Sequence, residues 1–419
     1  MLDRTSPPPS YEVEKFQLPN YETYCVSDRV NIYSIVDHKL PLLQIELVFE
    51  SGKASQIIPG SSYYAIKALA EGTKSKTAND ISFGFESLGS FIEWGSGLEH
   101  SFIKVYCQSD KALSTLELLE EVVTQPSFPE KNFNLIKKIR SQQIKQQEAK
   151  NSQYATALFN KILFGANHPL GQIFSSAEAL ESNLKDVKRF YDEILFNNPT
   201  VFVTGDVSER LIQRIERLLN NLPQQRKSIQ EFQPEPLLKS STIKKAASEQ
   251  VSFRTGMFTV SKNDPQVHKL GIANSLFGGF FGSRLMQKVR EELGYTYSIY
   301  STFVHTKRHS YWMIGSELIK EHFNHGVSAI EAELEKLGST IPPTEEVKKL
   351  KSYLKGTLLS SMDSIFSQGS ILKGLKLSAL PDSYYDDYFS AIDGISEEEI
   401  STITKEHLLE PKKSTLLYG

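Results

Sequence analysis

The chain has 419 residues, 39% of them hydrophobic and 23% charged, with a net charge of -3. At about 100–200 residues per domain, that length allows two or three domains with ample core. The mild acidity argues against a nucleic-acid binder, which is usually basic, and no run approaches the roughly 18 apolar residues that a spanning helix needs.

Residues 1–16 read MLDRTSPPPSYEVEKF. A secretory signal needs a basic start and then about 7–15 apolar residues. Prolines and acids stand here instead, so residues 1–24 are expected to be a tail and lead-in. A cytoplasmic location is expected over a periplasmic one. Residues 41–51 (PLLQIELVFES) alternate as a strand does. After Pro59 and Gly60, residues 61–71 (SSYYAIKALAE) are good helix formers that stop at Gly72. Residues 78–88 read as a second helix, and 91–105 as a hairpin turning near Gly95–Gly97. Residues 110–123 form an amphipathic helix. Pro126 and Pro129 then punctuate the chain, and a long polar helix runs over 130–148. A helix over 186–195, a short strand VFVT over 200–204 ended by Gly205, and a helix over 209–222 complete this half. Cys25 and Cys107 sit among apolar or aromatic neighbours and read as packing residues.

Residues 224–245 are polar and carry Pro234 and Pro236, which marks a linker between a domain over 25–223 and one over 246–419. The second half repeats the first. ESLGSFIEW at Glu86 has its counterpart in EELGYTYSI at Glu291. An amphipathic helix follows each, over 110–123 and 321–337. Each then reaches a proline-led helix start, PEKNFNLIKKI at Pro129 and PTEEVKKLKSYL at Pro343. The expected class is α+β: two pseudo-twofold-related domains, each an antiparallel sheet covered by helices.

FGANHPLG and KDVKRFYDEILFNNPTVFVTGDVSERLIQRIERLLNNLP, within residues 164–223, resemble the pitrilysin/insulysin/mitochondrial-processing-peptidase family. GGFFGSRLMQKVREELGYTYSIYS, residues 278–301, is similar to that family's second-domain signature. The resemblance implies half of a clam-shell zinc peptidase. Its active members carry H-x-x-E-H on a helix. Two histidines four apart share one helix face and reach the metal, and the Glu activates a bound water. A later Glu completes the site.

Aligned on Gly72-Thr73, the ligand helix of this chain puts Tyr63 and Lys67 at the histidine positions and Ile66 at the Glu. The later Glu falls on or beside Gln143. A neutral phenol, an ammonium, an aliphatic chain and an amide do not supply what zinc requires. No cofactor is expected in this chain, and zinc only in a partner subunit. The resemblance further implies that Arg290 and Tyr297, seven residues apart, grip substrate backbone. Arg can donate to peptide carbonyls and Tyr to a developing oxyanion. The competing reading pairs Arg290 with Glu291 and packs Tyr297 in the core. Tyr295 shares strand parity with Tyr297, so register decides between them.

His322 and His325 lie three apart beside Glu321, with no third ligand placed by the sequence, and read as a solvated helix face. His305 and His309 read as surface residues, and His168 as a structural part of the HPLG turn. The function implied is a non-catalytic subunit that binds unfolded peptide and completes the active site of an HxxEH-bearing partner in a heterodimer. Two alternatives stay open: a structural or peptide-binding homodimer, and a metalloendopeptidase with a relocated metal site.

Overall fold

The computed structural model describes residues 16–27, 30–223, 230–245, 248–409 and 413–419. The first sheet has strands β1 (Glu22–Ser27), β2 (Val30–Val36), β3 (Leu42–Phe49), β4 (Phe91–Ser96), β5 (Ser101–Gln108) and β6 (Thr200–Gly205), in the order β1-β2-β6-β3-β5-β4. The second has β7 (Ser240–Ile243), β8 (Gln250–Phe258), β9 (Thr296–His305), β10 (Ser310–Ile319) and β11 (Ser414–Tyr418), in the order β7-β11-β8-β10-β9. Both sheets are covered by helices, giving a mixed α+β architecture. Neither is purely antiparallel: β2 runs parallel to β6, and β7 parallel to β11.

Alternation decides the faces of the central strand β3. Leu43, Ile45, Leu47 and Phe49 point into the first core, against helices Ser61–Ala68, Ala112–Thr124 and Glu209–Asn221. Gln44, Glu46 and Val48, also buried, occupy the opposite face. In the second sheet Phe253 and Met257 of β8 face a core built with helices Val267–Asn274, Phe323–Ser339 and Glu397–His407. Arg254 lies on the other face.

Those other faces are covered by helices exchanged between the halves. Asn151–Phe164, from the first half of the chain, lays Ala155, Phe159, Ile162 and Leu163 on the second sheet, against Tyr311, Met313 and Leu416. Ile365–Leu377, from the second half, lies on the first sheet. There Gly369 passes so close to β6 that a Cβ would stand 2.5 Å from Thr204 Oγ1, which requires glycine.

Each exchanged helix meets a buried charge. Glu46, 3% exposed, accepts two hydrogen bonds from Lys373 Nζ at 2.8 and 2.9 Å, and Lys104 Nζ of β5 stands at 3.6 Å. Arg254, 2% exposed, donates to Glu317 Oε1 at 2.8 Å and to Phe253 O and Ser316 O. It also donates to Ser152 O and Thr156 Oγ1 of the crossing helix.

Several expectations need correction. Residues 240–243, read as linker, form β7, and residues 230–239 run beside helix Asn151–Phe164 through Glu235 N–H to Phe164 O and Leu237 N–H to Ile162 O. Residues 224–229 of that linker and 1–15 of the tail lie outside the described residues. The lead-in is anchored: Phe16 is buried against Leu358 and Phe389, and β1 begins at Glu22. Cys107 is buried, with its thiol pushed up to about 11, but Cys25 is exposed on the edge strand β1. His305 and His309 are half-buried, not on the surface. Burial and the nearby Lys262 lower His305 to about 4.

Because Glu46 is paired across the halves, Lys373→Met strands a carboxylate with only the longer Lys104 contact. The loss of stability should be about 3 kcal/mol, the cost of breaking a buried pair, read as a lowered urea midpoint. Exposed Lys39→Met in the same assay should shift it negligibly.

Candidate functional site

Between the halves lies a cleft of about 870 Å³. The helix Ser61–Ala68 opens onto it from Gly60, whose φ of 86° puts it in the left-handed region. Gln56 Oε1 braces this turn, accepting from Gly60 N–H at 3.0 Å and Ser62 Oγ at 3.1 Å. Tyr63 therefore faces the cleft, while Ile66 is fully buried in the first core. Lys67, one turn beyond Tyr63, is lowered below the ordinary lysine range by burial, with Glu93 of β4 opposing the shift.

Gln143 lies on helix Glu130–Ala149, and the fold brings it to Tyr63. The Tyr63 hydroxyl stands 3.4 Å from Gln143 Oε1, and Arg140 Nη1 reaches the same oxygen at 3.4 Å, both at the weak end of hydrogen bonding. The Arg140 guanidinium stacks 4.4 Å from the Tyr63 ring centroid. Burial raises the Tyr63 pKa despite Arg140, so the group is a phenol at neutral pH, not a phenolate. The donor set of Tyr63, Gln143, Lys67 and Arg140 is thus a phenol, an amide and two cations, and it does not fit a divalent metal. Among the described residues, no group of three or more His, Cys, Asp or Glu is arranged to hold a metal ion.

Arg290 sits in a π-helical turn, Met286–Glu292, and Tyr297 on the edge strand β9. The guanidinium lies between two rings, 4.8 Å from the Tyr297 centroid and 5.3 Å from that of Phe281. Its Nε approaches Glu291 at 3.3 Å. The alternative reading is half met. Arg290 does pair with Glu291, but Tyr297 is 81% exposed rather than packed in the core. Register separates the two tyrosines: Tyr295 precedes β9, packs on the second core and stacks on His322 at 4.7 Å. His168 accepts from Leu170 N–H within its turn, as a structural residue does.

The sequence reading missed Arg140, Lys53 and Phe281. Arg140 lies one helical turn before Gln143, which could have drawn attention to it. Phe281 stands inside the quoted GGFFGSRL run. Lys53 has no local signal. It follows β3, lines the cleft, and its Nζ donates to Gln172 O at 2.9 Å.

Residues 37–175 match the family described as Insulinase (Peptidase family M16), and residues 182–354 match Peptidase M16 inactive domain. The chain is 24% identical over 358 residues to an uncharacterized zinc protease, YmxG, of Bacillus subtilis, covering 83% of this chain and 86% of that one. It is also 24% identical over 390 residues to the non-peptidase homolog YmxG of Helicobacter pylori, covering 88% and 87%. The crystal structure of a peptidase M16 inactive domain from Pseudomonas fluorescens superposes with a TM-score of 0.86 at 24% identity, covering 96% of this chain and 98% of that one.

Burial alone lowers Lys53 from 10.5 to about 8. Between those values the unfolded chain binds more protons than the folded one, so this group makes stability rise with pH across that window. The stability of the wild type relative to Lys53→Met should therefore be flat below pH 8 and climb from there to about 10.5. Denaturant titrations at stepped pH check this; a difference that stays constant would refute the burial argument.

Proposed function

The chain belongs to peptidase family M16, and from that premise we propose that it is a non-catalytic subunit. It binds unfolded peptide and completes the active site of an HxxEH-bearing partner. The observation that carries the reading is a contrast between two sites. Tyr63, Ile66, Lys67 and Gln143 supply no metal-ligand chemistry, whereas a partly buried Arg290 stacks on Tyr297, which is presented to solvent. The designation of the Helicobacter relative as a non-peptidase homolog accords with this division.

The two rings hold the guanidinium plane in one orientation, and Glu291 occupies its Nε side. The Nη groups are left to donate toward peptide carbonyls. Tyr297, 81% exposed, presents its hydroxyl to donate to an oxygen that gains charge. Peptide reaches them in extended form. The outer strands β4 and β9 each have one unpaired edge among the described residues, suited to strand addition. Each sheet supplies one of these two edges, β4 in the first and β9 in the second. No helix among the described residues is long and apolar enough to cross a membrane.

The test mixes the pure chain with the HxxEH-bearing subunit that co-purifies with it and follows cleavage of an unstructured fluorogenic peptide. Cleavage should require both proteins, and Arg290→Ala should lower kcat/KM roughly tenfold to hundredfold, the value of one or two charge-assisted hydrogen bonds. A partner that cleaves equally well alone, or a mixture indifferent to Arg290→Ala, would sink the proposal.

A further inference from the structure

We propose that the cleft between the halves is a carboxylate-binding site in its own right, with Lys53 and Arg140 as the groups that receive the anion. The reasoning starts from charge pairing. Buried cations in folded proteins are normally paired, and this protein follows the rule elsewhere. The other partly or fully buried guanidinium groups, on Arg214, Arg254, Arg284 and Arg290, each meet a carboxylate. Arg140 meets none among the described residues. Its Nε is buried without any acceptor, and its Nη1 has only the 3.4 Å contact to Gln143.

Lys53 lines the same cleft and is likewise without a carboxylate; its one acceptor is the neutral Gln172 carbonyl. The fall of its pKa to about 8 is the expected cost of a buried ammonium with no counter-ion. Two cations without anions therefore line one cleft of about 870 Å³, within the range of sites that enclose small ligands.

The acids of the cleft do not neutralise them. Glu317 is bound to Arg254 and Ser252, and Glu148 accepts from the Ser176 N–H and hydroxyl. Their presence does select the ligand. A singly charged carboxylate balances the excess of positive charge, whereas a phosphate dianion would add repulsion beside Glu148 and Glu317. The carboxylate can arrive as the free C-terminus of a peptide or as a small organic acid. This inference uses residues distinct from Arg290 and Tyr297 and needs no partner subunit, so it stands or falls separately from the function proposed above.

Isothermal titration of the full chain decides it. The probes are N-acetyl-tetraalanine with a free C-terminus, the same peptide as its C-terminal amide, sodium propionate and inorganic phosphate. The free acid should bind roughly tenfold or more tighter than the amide. Arg140→Gln and Lys53→Gln should each remove most of that difference while leaving the amide unchanged. Propionate that matches the peptide acid supports the site and assigns it to small acids; peptide binding without propionate binding supports it and assigns it to chain ends. Equal binding of acid and amide, no binding of any carboxylate, phosphate binding tighter than propionate, or variants that keep the full preference would each overturn the inference.

Discussion

The architecture depends on a buried charge in each sheet that a helix from the other half of the chain helps to satisfy. Glu46 receives Lys373, and Arg254 receives Ser152 and Thr156 together with Glu317. A buried ion costs several kcal/mol unless its partners are in place, so neither sheet is complete until the opposite half has folded. The halves are thereby fixed face to face, and the cleft between them has set walls. Glycine at 369 allows the closest of these approaches.

That fixed cleft explains how the fold keeps its shape without metal ligands on the helix Ser61–Ala68. Tyr63 makes edge contact with Tyr64, which in turn meets Phe133 and Phe174 edge to face. Rings packed in this way hold the helix to Glu130–Ala149 by burial and quadrupole geometry. Arg140, stacked on Tyr63, adds a cation to this packing. A guanidinium there attracts carboxylates directly and activates no water.

What the sequence disclosed follows the range of each interaction. Alternation in 41–51 identifies the core face of β3, and the capping and stop signals place the helices to within a few residues, because those are local properties. The long helix expected over 130–148 is Glu130–Ala149. The internal repeat foretold two sheets. The exchanged helices, the parallel pairing of β2 with β6, and β7 within the expected linker were not legible, since each is stabilised by a segment far away in the chain. Of the candidate site, Tyr63 and Gln143 were placed near one another by family spacing, and they do meet. That Lys53 and Arg140 stand without a counter-ion was invisible, because lacking one is a property of the folded molecule and not of any residue run.

This last distinction bears on how charges in the protein should be read. Lys373 and Arg254 are pinned on every side, and their side chains are committed to holding helices in place. Arg290 is only half committed: two rings and Glu291 fix its plane and leave its outer edge open. Arg140 is oriented by Tyr63 but meets no anion among the described residues. The same side-chain chemistry thus grades from scaffold to binding group according to how many of its donors the fold has already used. A guanidinium that is held rigidly yet left partly unsatisfied has surrendered its conformational entropy before any ligand arrives. The ligand then gains the hydrogen bonds without bearing that cost, which is the physical reason to look for peptide recognition at the stacked arginines and not at the paired ones.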